Sequence, residues 1–247
     1  GIESPPEEEP WINDDWPFIR VTRVDRLSEL RYVTDVQRYS DQGEVQPIDM
    51  RDHKRFGIAT YNHGEGIYLG LRRKWLEEIV ARRNAIRGDV STLPYALARI
   101  PDSVRRQMPC LESESIAQQA LPILHTLSHL LIRNLCAMSG YSIGSIRERL
   151  YLDAKEGSIT FAGILLYTSG PSSDGTLGGL VAQATLDRLE GIISASLESI
   201  NGCSNDPVCF DHQPSRLEAN GSACHACCLL PETCCELRNL VLDRNWG

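Results

Sequence analysis

The sequence predicts an α+β fold in which helices pack on a small sheet and the C-terminal part forms a cysteine-rich lobe. Apolar residues at steps of three and four mark several helices. Two apolar runs on either side of a short polar turn mark neighbouring strands. Seven of the nine cysteines fall between Cys203 and Cys235, so the C-terminal part is expected to be held together by its cysteines.

The predicted helices are the segments with apolar residues on one side. They lie at residues 71–87, 121–138 and 186–200. The first carries arginine and lysine on the opposite face and ends at Gly88. The second is apolar on its flanking faces as well and stops at Gly140, so we expect it to be buried.

The predicted strands come from two parts of the chain. Residues 147–153 and 158–167 form two strands joined by Asp-Ala-Lys-Glu-Gly, and the second is apolar enough to be covered on both faces. Residues 18–39 show short apolar alternations. Residues 57–71 are predicted as strand, turn and strand around the segment Asn62–Gly66.

Composition fits a globular protein. The 247 residues are 42% hydrophobic and 23% charged, which suffices for a sizeable core. No apolar run reaches the length of a membrane span, and the opening stretch lacks the features of a secretory signal. These observations predict a soluble protein with no membrane partner.

Charge is distributed unevenly. The net charge is −8, but six acidic residues before residue 16 account for most of it. Between Arg72 and Arg106 nine basic residues face four acidic ones, a pattern that suits contacts to phosphate. A whole-chain pI near 5.3 argues against a free-standing nucleic-acid binder. The candidate phosphate contacts are Arg72, Arg73, Lys74, Arg82, Arg83 and Arg87.

The cysteine spacing favours a metal over disulfides. An odd total, adjacent pairs and no secretory signal fit a disulfide framework poorly. Cys224-His-Ala-Cys227 is the two-residue knuckle that presents two sulfurs to one ion, and zinc accepts four thiolates in a tetrahedron. Such a site would contribute roughly 10–16 kcal/mol of apparent binding free energy to folding. The fold is therefore predicted to end in a zinc-stapled lobe.

The choice of the other two ligands is less direct. They come from Cys203 or Cys209 on one side and from Cys234 or Cys235 on the other. Consecutive side chains diverge, so each cysteine doublet, 227–228 and 234–235, should give one ligand. His212 and His225 are outside candidates. We expect the ligands Cys209, Cys224, Cys227 and Cys235, with Cys203 as first substitute and Cys228 and Cys234 as alternatives within the doublets.

His125 and His129 lie four residues apart on the buried helix, a spacing that lets two imidazoles share a metal. The glutamate that a metalloprotease would place between them is missing. The favoured interpretation is core histidines bonded to nearby polar groups. The alternative is a metal-dependent hydrolase acting on nucleic acid, with a carboxylate supplied from elsewhere.

The predicted organisation has three parts. Residues 1–16 form an acidic arm or linker. Residues 17–110 form an N-terminal β-rich region with a basic helix. Residues 111–247 form a helical and zinc-binding C-terminal domain.

Several motifs, taken in order, resemble the DrmB family of subunits of the bacterial antiphage system DISARM. Its C-terminal region is similar to the zinc-binding domain of MrfA-type repair helicases. The segments that carry the resemblance are Gly64–Tyr68, His125–Ile132, Arg147–Tyr151, Leu166–Ser169, Asp174–Gly179, Cys203–Cys209, Ala223–Cys227, Leu230–Glu236 and Leu242–Arg244.

The resemblance implies a non-catalytic, cytoplasmic, zinc-binding defence subunit that partners a superfamily 2 helicase, DrmA, and engages DNA with it. It also implies that Cys209, Cys224, Cys227 and Cys235 hold the metal, in that order. The chain departs from the pattern in being much shorter than the family's proteins. It also has Cys228 and Cys234 where the family pattern has an apolar residue and a serine.

Overall fold

The computed structural model confirms the α+β fold and describes residues 8–10, 16–33, 35–37, 45–47, 58–87, 99–168, 179–215 and 218–246. Its strands are β1 (Glu8–Pro10), β2 (Phe18–Tyr32), β3 (Asp35–Gln37), β4 (Val45–Pro47), β5 (Ala59–Leu71), β6 (Ile146–Lys155) and β7 (Ser158–Thr168). Five of them form an antiparallel sheet in the order β1-β2-β5-β7-β6, while β3 and β4 pair separately.

The β6–β7 hairpin is the one predicted from the sequence. Lys155 pairs with Ser158 across a two-residue connection. Glu156 and Gly157 both have left-handed backbone angles, with φ of 55° and 76°, as a tight turn that matches the strand twist requires.

The turn predicted around Asn62–Gly66 is wrong, because β5 runs through this segment as one continuous strand. A Cβ atom on Gly66 would lie 2.9 Å from the backbone oxygen of Leu166 on β7. The glycine therefore permits a close approach of two strands and does not reverse the chain. The irregularity lies in β2 instead, where the register shifts between Val24 and Leu27.

Helices pack against strands β6 and β7 of this sheet. The described helices are α1 (Arg73–Arg87), α2 (Asp102–Gln107), α3 (Cys110–Ser113), α4 (Ser115–Ser139), α5 (Leu186–Glu198) and α6 (Val208–Asp211), with short 3₁₀ helices at Val181–Ala184 and Ser199–Asn201. The three predicted helices are confirmed as α1, α4 and α5.

Helix α4 is the centre of the fold. It packs against α1, α5, β6 and β7, and most of its residues from Ala117 to Cys136 are buried, as its apolar flanking faces predict. It ends at Gly140, which has φ of 76° and donates its N–H to the carbonyl of Cys136 at 3.0 Å. The two helix histidines are thereby carried into the interior.

The sheet crosses the boundary predicted at residue 110, because β5 pairs with β7 and both sides share one apolar core. Part of the predicted arm joins the sheet as well: β1 pairs with β2, and Trp16 is buried. Residues 1–7 and 11–15 lie outside the described residues. None of the described helices is long and apolar enough to cross a membrane.

Candidate metal centres

Four cysteine sulfurs converge near the C-terminal end of the chain. The sulfur atoms of Cys203, Cys209, Cys224 and Cys227, here called the four-cysteine cluster, all lie within 4.8 Å of one another. The closest pairs are Cys203–Cys224 at 3.5 Å, Cys224–Cys227 at 3.7 Å and Cys209–Cys227 at 3.8 Å. A zinc tetrahedron with Zn–S bonds near 2.3 Å has edges of about 3.8 Å. The donor set and its spacing therefore fit zinc.

The local backbone explains why the knuckle points both sulfurs to one place. The carbonyl of Cys224 accepts the N–H groups of Cys227, Cys228 and Leu229, which closes a tight loop. The N–H of Cys224 points inward at 3.3 Å from the sulfur of Cys227. Donation of N–H groups to sulfur stabilises the thiolate form that binds metal.

The other two cysteines come from the preceding segment, Cys209 on α6 and Cys203 just before it. Asn205 donates its backbone N–H to the sulfur of Cys203 and its side-chain amide to that of Cys224, both at 3.4 Å. A hydrogen bond from Cys228 lowers the pKa of Cys227 to about 4, and burial raises the pKa of Cys209. Hydrogen bonds lower the pKa of Cys224 too, whereas burial raises that of Cys203, so a cation is needed to ionise Cys203 and Cys209 as well.

A buried arginine, Arg244, lies beside the four-cysteine cluster. Arg244 is fully buried, donates to the carbonyl of Ile200 at 2.9 Å and forms an ion pair with Asp206. The other carboxylate oxygen of Asp206 accepts the N–H of Cys203 at 2.8 Å. The guanidinium group also interacts electrostatically with Cys209 and Cys227, so its positive charge offsets the negative charge of the thiolates.

A second group of metal-ligand side chains lies deeper in the fold. His125 and His129 of α4, Glu148 of β6 and Cys235 each offer a ligand atom, and these atoms lie within 4.8 Å of one another. We call them the histidine–glutamate–cysteine cluster. The histidine and glutamate side chains are fully buried, and Cys235 is 8% exposed.

Electrostatics within this second cluster are strongly coupled. Burial lowers the pKa of His125, against the opposing effect of the Glu148 carboxylate. Burial also tends to raise the pKa of Glu148, but the two histidines together hold it well below its usual range. Burial and the same carboxylate raise the pKa of Cys235. A neutral thiol, an ionised carboxylate and two imidazoles therefore face one another without solvent.

The structure brings together three of the four predicted ligands. Cys209, Cys224 and Cys227 lie with Cys203, the first substitute, whereas Cys235 lies with the histidines. Each cysteine doublet does give one sulfur, but the two doublets supply different clusters. Cys234 donates its thiol to the carbonyl of Ile143 at 3.4 Å instead.

Glu148 was not predicted as a site residue, although the sequence contains a signal for it. Strand β6 alternates buried and partly buried positions, and Glu148 shares the buried face with Ile146 and Leu150. A carboxylate on the apolar face of a strand requires a partner in the interior. His212 pairs with Glu218 at 3.0 Å and lies outside both clusters.

The predicted phosphate contacts have different surroundings. Arg73, Lys74 and Arg82 are exposed on α1. Arg72 donates to the carbonyl of Trp16 at 3.0 Å, and Arg83 is buried in an ion pair with Asp243 at 2.9 Å. Arg83 therefore forms an ion pair in the protein interior and does not lie on the surface, where phosphate would bind. The side chain of Arg87 lies outside the described residues.

Comparison with known proteins agrees with this geometry. Residues 127–228 match the model of the MrfA Zn-binding domain, a range that contains the whole four-cysteine cluster. The chain is 30% identical, over 259 aligned residues, to the DISARM protein DrmB of Bacillus paralicheniformis. That alignment covers 99% of this chain and 42% of the relative, so the chain spans less than half of the relative's length. The resemblance inferred from the motifs is confirmed: the chain is DrmB-like over almost its whole length and contains a match to the MrfA Zn-binding domain.

Proposed function

We propose that this chain is the zinc-binding part of a non-catalytic, cytoplasmic subunit of a DISARM-type antiphage complex. The subunit partners a superfamily 2 helicase of the DrmA kind and helps the complex to engage DNA. The similarity to a DISARM protein supports the defence role. The helicase partner is what the resemblance to the DrmB family implies. The exposed basic residues of α1 support the DNA contact.

The observation that carries the proposal is the four-cysteine cluster within the zinc-domain match. Four thiolates fill the tetrahedral positions of zinc and leave none for water or substrate. The ion would then serve folding, by joining the α6 segment to the knuckle at residues 224–227. We therefore propose Cys203, Cys209, Cys224 and Cys227 as the ligands, with Cys203 in place of the expected Cys235.

The alternative function, a metal-dependent hydrolase, requires a carboxylate beside the two histidines. The structure places Glu148 there. Hydrolysis also requires an open metal position and a route for water and substrate. The side chains of His125, His129 and Glu148 are completely buried. A nucleic acid cannot reach them in this fold, so the geometry favours the proposal of a non-catalytic zinc-binding subunit over that of a hydrolase.

The DNA contact is proposed for Arg73, Lys74 and Arg82, which lie exposed on α1. Such residues bind phosphate without reading sequence, so their contribution should depend steeply on salt. Arg83 is excluded because its ion pair with Asp243 would have to break.

The test is to co-express the full-length protein with a DrmA-like helicase, purify the complex and measure DNA binding between low and high salt. The triple charge reversal Arg73→Glu, Lys74→Glu and Arg82→Glu should weaken binding to every sequence. It should also reduce the slope of log K against log salt by about 0.9 for each lost contact.

The matched control is Arg188→Glu, which reverses an exposed charge on α5 and should leave the slope unchanged. Failure of the two proteins to co-purify would contradict the proposed partnership. An intact complex whose triple variant keeps the wild-type slope would contradict the DNA contact alone.

A further inference from the structure

We propose that the histidine–glutamate–cysteine cluster binds a second divalent transition-metal ion, preferably zinc, separate from the ion of the four-cysteine cluster. This inference does not depend on the proposed defence function. It is a structural metal site whose four ligands come from parts of the chain far apart in sequence, namely His125, His129, Glu148 and Cys235.

The hydrogen-bond partners of His129 show which of its ring nitrogens carries the hydrogen. The Nδ1 atom of His129 lies 2.8 Å from the carbonyl oxygen of Cys228. A carbonyl oxygen can only accept, so Nδ1 carries the hydrogen and the neutral ring has its lone pair on Nε2. That lone pair faces a carboxylate oxygen of Glu148 at 3.4 Å, and Nε2 has no hydrogen bond to any described residue. Two acceptors directed at one point need a positive charge between or beside them, which a proton or a metal ion can supply.

The same carboxylate oxygen, Oε1 of Glu148, has two further neighbours. It accepts the N–H of Glu236 at 3.2 Å and lies 3.1 Å from Nε2 of His125. That nitrogen also lies 3.1 Å from the sulfur of Cys235. Nitrogen, nitrogen, oxygen and sulfur thus surround one point in a region without solvent.

The separations fit a tetrahedral ion. With bonds near 2.0–2.1 Å to nitrogen and oxygen, the N···O edge of a zinc tetrahedron is about 3.3 Å. The two observed N···O separations, 3.1 and 3.4 Å, lie on either side of this value. The N···S separation of 3.1 Å is shorter than the corresponding edge by about 0.5 Å, which a small movement of the Cys235 side chain would supply.

Backbone groups hydrogen-bond to three of the four ligands and so orient them, as is usual around metal ions in proteins. The carbonyl of Cys228 fixes the tautomer of His129, and the N–H of Glu236 holds Glu148. The N–H of Asn239 points to the sulfur of Cys235 at 3.1 Å. Two imidazoles and a thiolate select zinc-like ions over magnesium or calcium, which prefer oxygen ligands.

Metal analysis of the full chain, purified without chelators, tests the proposal. We expect two zinc ions per chain. Cys235→Ser should lower the content to one, and Cys209→Ser should lower it to one by removing the other ion. The matched control Cys234→Ser changes a neighbouring buried cysteine outside both clusters and should retain two.

A measurement on unaltered protein covers the case in which a variant fails to fold. X-ray absorption at the zinc edge should show five sulfur and three nitrogen or oxygen ligands shared by two ions. One zinc per chain with sulfur ligands only, and the same content in Cys235→Ser, would overturn the proposal. The cluster would then be a metal-free hydrogen-bonded group.

Discussion

At the scale of single residues, Arg82 and Arg83 show that a run of basic residues in the sequence does not reveal which of them are buried. Both belong to the basic segment, yet Arg82 is exposed while Arg83 is buried against Asp243. Asp243 also accepts the N–H groups of Ser222 and Asn245. The arginine therefore neutralises a carboxylate that orders the C-terminal segment, and this use depends on a residue 160 positions away.

Substitution of Arg83 by methionine keeps much of the side-chain volume but removes the charge. It removes the cation that pairs with the buried Asp243 carboxylate, so the free energy of unfolding should fall by about 3–5 kcal/mol. Denaturant titration followed by circular dichroism measures the change. Arg82→Met, one residue earlier and exposed, should alter stability by no more than about 0.5 kcal/mol.

The double variant Arg83→Met with Asp243→Asn distinguishes the ion pair from packing. Removing both charges should recover part of the lost stability, because no unpaired charge remains in the interior. Equal losses in the single and double variants would show that the charge of Asp243 plays no part.

The cysteines illustrate what local spacing can and cannot predict. A short motif predicts Cys224 and Cys227 as ligands, because a two-residue knuckle sets its own geometry. The choice between Cys203 and Cys235 is not local, since it depends on where β6 and α4 lie. Glu148 precedes Cys235 by 87 positions, and its backbone N–H bonds the carbonyl of Cys234 at 3.0 Å. Only the folded sheet shows that Cys235 faces the histidines.

At the scale of elements, sequence patterns succeeded wherever local forces determine the structure. Helices α1, α4 and α5 follow from apolar periodicity, and the β6–β7 hairpin follows from its turn residues. Strand β5 was misjudged because its glycines resemble a turn. The glycine at position 66 is explained instead by its close contact with β7, which is distant in sequence.

Replacement of Gly66 by alanine tests this explanation of β5. The new Cβ would meet the backbone oxygen of Leu166 at 2.9 Å, and neither strand can move without disturbing the sheet. We expect a loss of about 1–3 kcal/mol in the free energy of unfolding. Thermal and denaturant unfolding both measure it.

Gly144→Ala is the matched control, since the nearest atom to its new Cβ is the flexible hydroxyl of Ser142 at 3.9 Å. Its stability should stay close to that of the wild type. If Gly66→Ala were equally harmless, close strand approach would not be the reason for glycine in β5.

At the scale of the whole molecule, the two clusters share one segment of chain. Cys227 belongs to the four-cysteine cluster, while the carbonyl of the next residue, Cys228, orients His129 in the other. The C-terminal segment also donates to Glu148 and is tied to α1 through Asp243. The loop-rich C-terminal segment is thus fastened to α1, α4 and β6 by polar groups as well as by its apolar residues.

The two clusters differ in their access to solvent. Cys203 and Cys224 are partly exposed, and Cys209 and Cys224 line an open surface cleft of about 610 Å³. The histidine–glutamate–cysteine cluster has no comparable exposure, because the side chains of His125, His129 and Glu148 are fully buried. A chelator should therefore reach one proposed ion in the folded protein and the other only after the core opens.

Zinc release to a coloured chelator should accordingly occur in two phases of equal amplitude. The fast phase comes from the four-cysteine cluster and should not depend on denaturant. The slow phase should follow the rate of unfolding and accelerate with denaturant, because the second ion leaves only when α4 separates from β6. Cys209→Ser should show the slow phase alone and Cys235→Ser the fast phase alone. Two ions leaving in a single phase at a rate that denaturant does not change would contradict this difference in burial.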